Sequence, residues 1–192
     1  MQEWHRRKSA GFSIVEMLVI ILILMIVAAM AIIQIRGQLP LMRANAAMNR
    51  AVAQMRTARE MAVAQRREVQ VFFLPPDQIQ LQRLNQPAGA PPTTFPPVPF
   101  EGGAQFVVFA GVPDTPSAFG NASAIVFGGV TGGPPIMKFR SDGRFVDAAG
   151  QPLNGSVFVG LPGHAQTARA VTVLGATGRV RPYRWTGSVW AE

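Results

Sequence analysis

The chain has 192 residues, 48% of them hydrophobic and 15% charged, with 18 Lys+Arg against 10 Asp+Glu for a formal net charge of +8. That apolar content argues against intrinsic disorder, and the length suits one modest domain, or a domain with an appendage. The absence of cysteine excludes a disulfide scaffold, Cys-ligated zinc, an iron–sulfur cluster and thiol catalysis, while leaving the compartment open.

Glycine and proline divide the chain. Residues 1–74 hold only Gly11, Gly37 and Pro40, so 17 of the 19 Gly and 15 of the 16 Pro fall in residues 75–192. The first part reads as helix and the second as short strands joined by turns. The N-terminus is cationic, with Arg6, Arg7 and Lys8 before Ser9-Ala10-Gly11. From Met17 to Ile33 run 17 residues without a polar side chain, and Phe12–Glu16 extend the run to 22. As a helix that is about 33 Å, enough for a bilayer core of about 30 Å. The positive flank predicts a cytoplasmic N-terminus and an exported remainder.

Glu16 breaks the apolar pattern. A carboxylate inside a membrane span costs roughly 2.5–3.5 kcal/mol on insertion scales. Either Glu16 sits near the headgroups, or it meets a cation at its own depth. Cleavage after Gly11 would create such a cation, the α-amino group of Phe12, four residues from Glu16 on one helix face. The amine could serve its own chain or a neighbouring copy.

Lys8-Ser9-Ala10-Gly11 followed by Phe12-Ser13-Ile14-Val15-Glu16-Met17-Leu18-Val19 resembles a type IV prepilin cleavage and methylation site. The resemblance implies cutting by prepilin peptidase after Gly11 and N-methylation of Phe12. It also implies that Glu16 neutralises the amine of an adjacent subunit during filament assembly. An ordinary secretory signal is the competing reading, with Ala29-Met30-Ala31 as an A-x-A-like cleavage site. Glu16 fits poorly in its apolar region, and the apolar run continues through Ile32 and Ile33. The first residue of the mature protein, Phe12 or Ile32, separates the two.

Gly37 and Pro40 predict a kink or a locally extended stretch beyond the span. Leu41, Ala44, Met48, Ala51, Met55, Ala58 and Ala62 then follow a 3-4 spacing, one apolar stripe on a helix from Leu41 to Arg67. Arg36, Arg43, Arg50, Arg56, Arg59, Arg66 and Arg67 face only Glu60 and Glu68 in that region, 7 − 2 = +5. A solvated helix flank is favoured over a binding face.

The remainder reads as a β-domain. A first strand at 68–74 and a partner at 78–84 make a hairpin across Pro75-Pro76. Residues 85–99 hold six prolines and are expected to be a loop. Further strands are expected at 105–110, 124–127, 136–140, 144–147, 156–161, 169–174 and 179–184. Gly128-Gly129 and Gly132-Gly133 read as turn or flexible-loop glycines, and Ser141-Asp142-Gly143-Arg144 as a hairpin turn. The expected divisions are a leader at 1–11, a membrane and filament helix at 12–35, an amphipathic helix at 36–67 and the β-domain at 68–192.

The segment from Ile136 to Arg144, and the tail Arg169-Ala170-Val171-Thr172-Val173 with Gly178-Arg179-Val180-Arg181, are similar to the GspH/FimT group of minor pilins and pseudopilins. That resemblance implies an α+β, pilin-like fold, a long N-terminal helix on an antiparallel β-domain. It implies a minor pilin or pseudopilin of a type IV pilus or type II secretion machine. Other pilins, prepilin peptidase and the inner membrane would be its partners. The β-domain would be periplasmic before it enters a filament.

FimT-like minor pilins bind DNA through a C-terminal GRxR motif, which Gly178-Arg179-Val180-Arg181 matches, with Arg184 close by. Alternate residues of a strand share a face, so Arg179 and Arg181 would project together toward phosphates. Tyr183, Trp185 and Trp190 could stack on bases if exposed. The alternative is a terminal strand with a solvated Arg face. No catalytic site is evident. His164 reads as a loop residue, Asp142 and Asp147 read as turn and surface residues, and neither a cofactor nor a metal is expected.

Overall fold

The computed structural model describes residues 13–192, and of residues 31–36 the backbone alone. Gly11, Phe12 and the rest of the leader lie outside the described residues. One α-helix, α1, spans Ile14–Gln65. The chain forms two compact units, Met1–Leu39 and Pro40–Glu192.

In the first unit, Ser13 precedes the helix and its carbonyl accepts the Met17 amide at 3.1 Å. The large apolar side chains between Ile14 and Met30 are all exposed, from 39% at Ile20 to 81% at Ile14. Among the described residues no helix is long and apolar enough to cross a membrane. The described side chains of the apolar run end at Met30, so its continuation through Ala31, Ile32 and Ile33 lies outside them. The locally extended stretch is absent, because α1 runs through Gly37 and Pro40. Proline removes one amide donor, and the neighbouring Leu39, Leu41 and Met42 are good helix formers that sustain the turns around it.

In the second unit the helix buries Ala44, Ala47, Met48, Ala51, Val52, Met55, Ala58 and Ala62. Six of these lie on the stripe read from the sequence. Ala47 and Val52 widen it, as expected for a helix lying on a sheet rather than on one partner helix. The helix ends two residues before the expected Arg67. Arg66 adopts φ 52°, the Arg66 amide reaches Val63 O, and the Arg67 amide reaches Ala62 O. This is the two-bond C-terminal cap that usually employs glycine.

Strands β1 (Val69–Leu74) and β2 (Gln78–Arg83) form the expected hairpin, in register from Val69↔Arg83 to Leu74↔Gln78. The proline-rich stretch is not all loop. Within it β3 (Thr93–Thr94) and β4 (Val98–Pro99) both pair with the outer edge of β2. Two-residue edge strands tolerate proline, since few ladder donors are needed there, and they cover an otherwise open edge.

Strand β5 (Gln105–Phe106) is shorter than expected. Strands β6 (Ile125–Phe127) and β7 (Val130–Thr131) form a hairpin the sequence reading lacked. Gly128 and Gly129, at φ 60° and 76°, make its two-residue turn, so they are fixed turn residues and not flexible spacers. Strands β8 (Lys138–Phe139) and β9 (Phe145–Val146) flank the Asp142-Gly143 turn. Then follow β10 (Gly155–Gly160), a 3-10 turn at Ala165–Thr167, β11 (Arg169–Leu174), β12 (Arg179–Trp185) and β13 (Trp190–Ala191).

All pairings are antiparallel. One sheet runs β3-β2-β1-β8-β9 with β4 on β2, and the other runs β13-β12-β11-β10-β6-β7 with β5 on β10. The alternate residues Val157, Val159, Val171, Val173 and Val180 join the helix stripe in one core, together with Val69, Ile79, Phe127, Phe139 and Phe145. The opposite face of the second sheet carries a small cluster of Phe158, Ala170 and Tyr183, with Trp190 against it. The architecture is α+β, with a helix packed on antiparallel sheets.

Candidate functional site

Of the N-terminal site residues, Gly11 and Phe12 lie outside the described residues. Glu16 is described, in the first turn of α1, and it is exposed. Ser13-Ile14-Val15-Glu16 also has the S-x-x-E spacing of a capping box, a signal the sequence reading passed over. A carboxylate in the first turn further opposes the positive end of the helix dipole. Glu16 therefore has a local reason to be acidic besides any partner amine.

The tail arginines occupy β12, which pairs with β11 along its whole length, Leu174↔Arg179 to Arg169↔Arg184. Strand β13 covers only the far end of its other edge, at Arg184↔Ala191 and Trp185↔Trp190. Arg179 and Arg181 project to one face, as the spacing requires. Arg184 does not join them. It lies an odd number of residues away and falls on the opposite face with Val180 and Pro182.

Arg179 and Arg181 border a groove of about 560 Å³ that Arg56 and Arg59 line from the helix, with Glu60 and Glu192 also in its wall. Arg181 Nε is 3.5 Å from Glu192 Oε1. A hydrogen bond with Tyr183 and the attraction of Glu192 hold the Arg181 guanidinium above its ordinary pKa. Arg59 Nε donates to the Gly143 carbonyl at 3.1 Å, which spends one of its donors on the fold.

Gly178 has a structural task. It sits at φ 63°, and a Cβ there would lie 2.0 Å from the Gly143 carbonyl oxygen and 3.0 Å from Arg59 Nε. The start of β12 thus nests against the β8–β9 turn. That hairpin does lie beside the tail, yet its cations are largely engaged. Lys138 Nζ bonds Glu68 at 2.7 Å, and Arg144 bonds Asp142 at 2.8 Å. The aromatic residues contribute less than expected. Tyr183 is buried, its hydroxyl 3.2 Å from Ser117 Oγ, and the Trp185 and Trp190 rings pack on each other with centroids 5.4 Å apart.

Two of the helix arginines, Arg50 and Arg59, bond to the fold. Arg50 bonds the Pro99 carbonyl at 3.0 Å and Glu101 at 2.9 Å, tying the helix to the β4–β5 loop. Among the described residues there is no cluster of His, Asp and Glu able to hold a metal ion. His164 sits in the turn before Ala165–Thr167, as expected of a loop residue.

Residues 6–32 match the family profile described as the prokaryotic N-terminal methylation motif. The chain thus carries the N-terminal methylation motif that the sequence resemblance led us to expect. Among solved structures, the chain is similar to the minor pseudopilin EpsH from the type 2 secretion system of Vibrio cholerae. That similarity has a TM-score of 0.49 and 11% identity, and covers 74% of this chain and 97% of that one. It is also similar to the type IV minor pilin FimU of Pseudomonas aeruginosa, at TM-score 0.47 and 15% identity, over 83% of this chain and 97% of that one. No curated protein matches its sequence.

Proposed function

We propose that the protein is a GspH/FimT-like minor pilin or pseudopilin. In this reading it inserts in the inner membrane, is cut after Gly11 by prepilin peptidase, is N-methylated at Phe12, and enters a filament with other pilins. The observation that carries the reading is the methylation motif over residues 6–32, within which the helical apolar side chains from Ile14 to Met30 are all solvent-facing. So much contiguous apolar surface is stable in water only when lipid or packed neighbours cover it. Glu16 then meets the Phe12 amine of a neighbouring subunit.

Glu16→Gln tests the pairing and keeps the capping-box spacing, because glutamine also serves its third helical position. Normal processing with failed filament incorporation supports the ion pair. Normal incorporation of Glu16→Gln would overturn the ion pair. N-terminal sequencing decides the processing, since a mature chain starting at Ile32 refutes it.

A second reading is DNA binding for uptake. It is favoured by Arg179 and Arg181 sharing a groove with Arg56 and Arg59. The full-length protein in detergent should then shift duplex DNA with an affinity that falls as salt rises, by a log–log slope of about 0.9 per phosphate engaged. The Arg179→Ala/Arg181→Ala double variant should lose the shift and keep its thermal stability. Equal binding by wild type and variant removes the motif from DNA recognition.

A further inference from the structure

Arg169 and Arg184 are direct cross-strand partners on β11 and β12, and so lie side by side on one face of the sheet. Like charges in that position repel. Arg169 is also buried, at 4% exposure. Its Nε donates to Asn45 Oδ1 at 2.7 Å, and its Nη1 to the carbonyls of Ala168 at 2.8 Å and Gln166 at 3.2 Å. These partners are neutral. Among the described residues neither arginine has a carboxylate within salt-bridge distance. A buried guanidinium is ordinarily matched by an anion, because desolvating a cation costs several kcal/mol. Here a second cation stands where the counter-charge would be. Burial, and then the closeness of Arg184, lower the pKa of Arg169 from its ordinary value.

A cavity of about 300 Å³ opens at this point, lined by Asn45, Met48, Asn49, Pro182, Arg184 and Glu192. Asn45 is the side chain that holds Arg169, so the cavity, the exposed cation and the buried cation are contiguous. The two asparagine amides add neutral donors. The volume admits a phosphate group, and the cationic and amide lining, more than the size, selects for one. The only acidic wall residue, Glu192, has its carboxylate 3.5 Å from Arg181 Nε, on the other face of β12.

We propose that Arg169, Arg184 and Asn45 form a binding site for a phosphate group, either a free phosphate ion or the phosphodiester of an anionic lipid headgroup. Arg184 makes the direct contact as a planar two-donor fork. Arg169 supplies positive potential from behind Asn45, in a setting where water screens it little. Occupancy would relieve the cross-strand repulsion, so binding and stability are linked. The site lies on the face of β12 opposite Arg179 and Arg181, and it does not depend on whether those two bind DNA.

The test is thermal unfolding of the full-length protein in a zwitterionic detergent. Phosphate is compared with chloride at matched ionic strength. Phosphate should raise Tm progressively with concentration, as a ligand bound only by the folded state must. Phosphate also stabilises proteins generally by exclusion from their surface, so the variants decide. Arg184→Gln should lose the specific increment and weaken phosphate binding, followed by phosphorus NMR, roughly tenfold or more. In chloride its Tm should equal or exceed that of wild type, because a repulsion is gone. Arg179→Ala should keep the increment, and Glu192→Gln should enlarge it. A short-chain phosphatidylglycerol that reproduces the increment, where phosphatidylcholine does not, assigns a lipid headgroup. An increment from inorganic phosphate alone assigns the free ion. An increment that survives in Arg184→Gln, or is absent from wild type with both probes, overturns the site.

Discussion

Gly178→Ala tests whether the fold itself requires the glycine of the tail motif. The substitution carries two penalties. An L-residue at φ 63° in the left-handed region costs about 1–2 kcal/mol. The new methyl would sit 2.0 Å from the backbone oxygen of Gly143, which cannot rotate away as a side chain could. Relieving it means moving the β8–β9 turn, an overpacking cost of about 1–3 kcal/mol. The sum is roughly 2–5 kcal/mol, and at about 2–4 °C per kcal/mol for a unit of this size the loss in Tm is plain to read. Gly163→Ala is the internal control. Gly163 also has a positive φ, 82°, but nothing lies within 4 Å of its missing Cβ. Thermal unfolding of the three proteins gives the backbone cost from Gly163→Ala and the contact cost from the difference. If Gly178→Ala unfolds no earlier than Gly163→Ala, the nesting of β12 against Gly143 does not contribute, and a structural role for this glycine falls.

Met55, 1% exposed at the middle of the helix stripe, should cost about 2–5 kcal/mol when changed to alanine, read as a lower denaturant midpoint with unchanged slope. Asp142 offers a pH signature. A hydrogen bond from the Arg144 side chain holds its pKa below the ordinary 3.8. A depressed folded-state pKa stabilises above the unfolded value, and that contribution is lost as pH falls through the folded one. The Tm gap between wild type and Asp142→Asn should therefore be present at neutral pH and close below about pH 3.8. Its size should stay under about 1 kcal/mol, since the Arg144 and Asp142 side chains are 40% and 41% exposed. A gap that widens with acid would refute the ion pair.

The elements that were legible in the sequence are those where one periodicity dominates. The helix stripe repeats over six turns, and β1, β2, β10, β11 and β12 each run for six or seven residues. The missed strands β3, β4, β7 and β13 are two residues long, too short for alternation to register, and they exist because a neighbouring edge receives them. Pro40 suggested an extended stretch that the continuous helix lacks. Proline carries a strong local signal, but within a long helix it removes one bond among many. The placement of Arg184 was available from parity alone. Arg169 was not, because its burial depends on Asn45, 124 positions away in sequence.

The four letters of the tail motif therefore carry unequal information. Gly178 is accounted for by its φ and by Gly143, and Val180 by the core it enters. Both would be retained in a protein of this fold that never meets nucleic acid. Arg181 is partly engaged by Tyr183 and Glu192. Arg179 alone has no partner among the described side chains, and it stands on a strand edge that β13 leaves open. Cations and a proline on such an edge also discourage pairing with another chain, and Pro182 is the next residue but two. Edge protection and DNA binding thus predict the same residues, and they diverge in their variants. If Arg179 protects the edge, Arg179→Val promotes self-association at any salt concentration. If it binds DNA, Arg179→Ala weakens the shift, and Arg179→Lys, which keeps the charge, restores most of it.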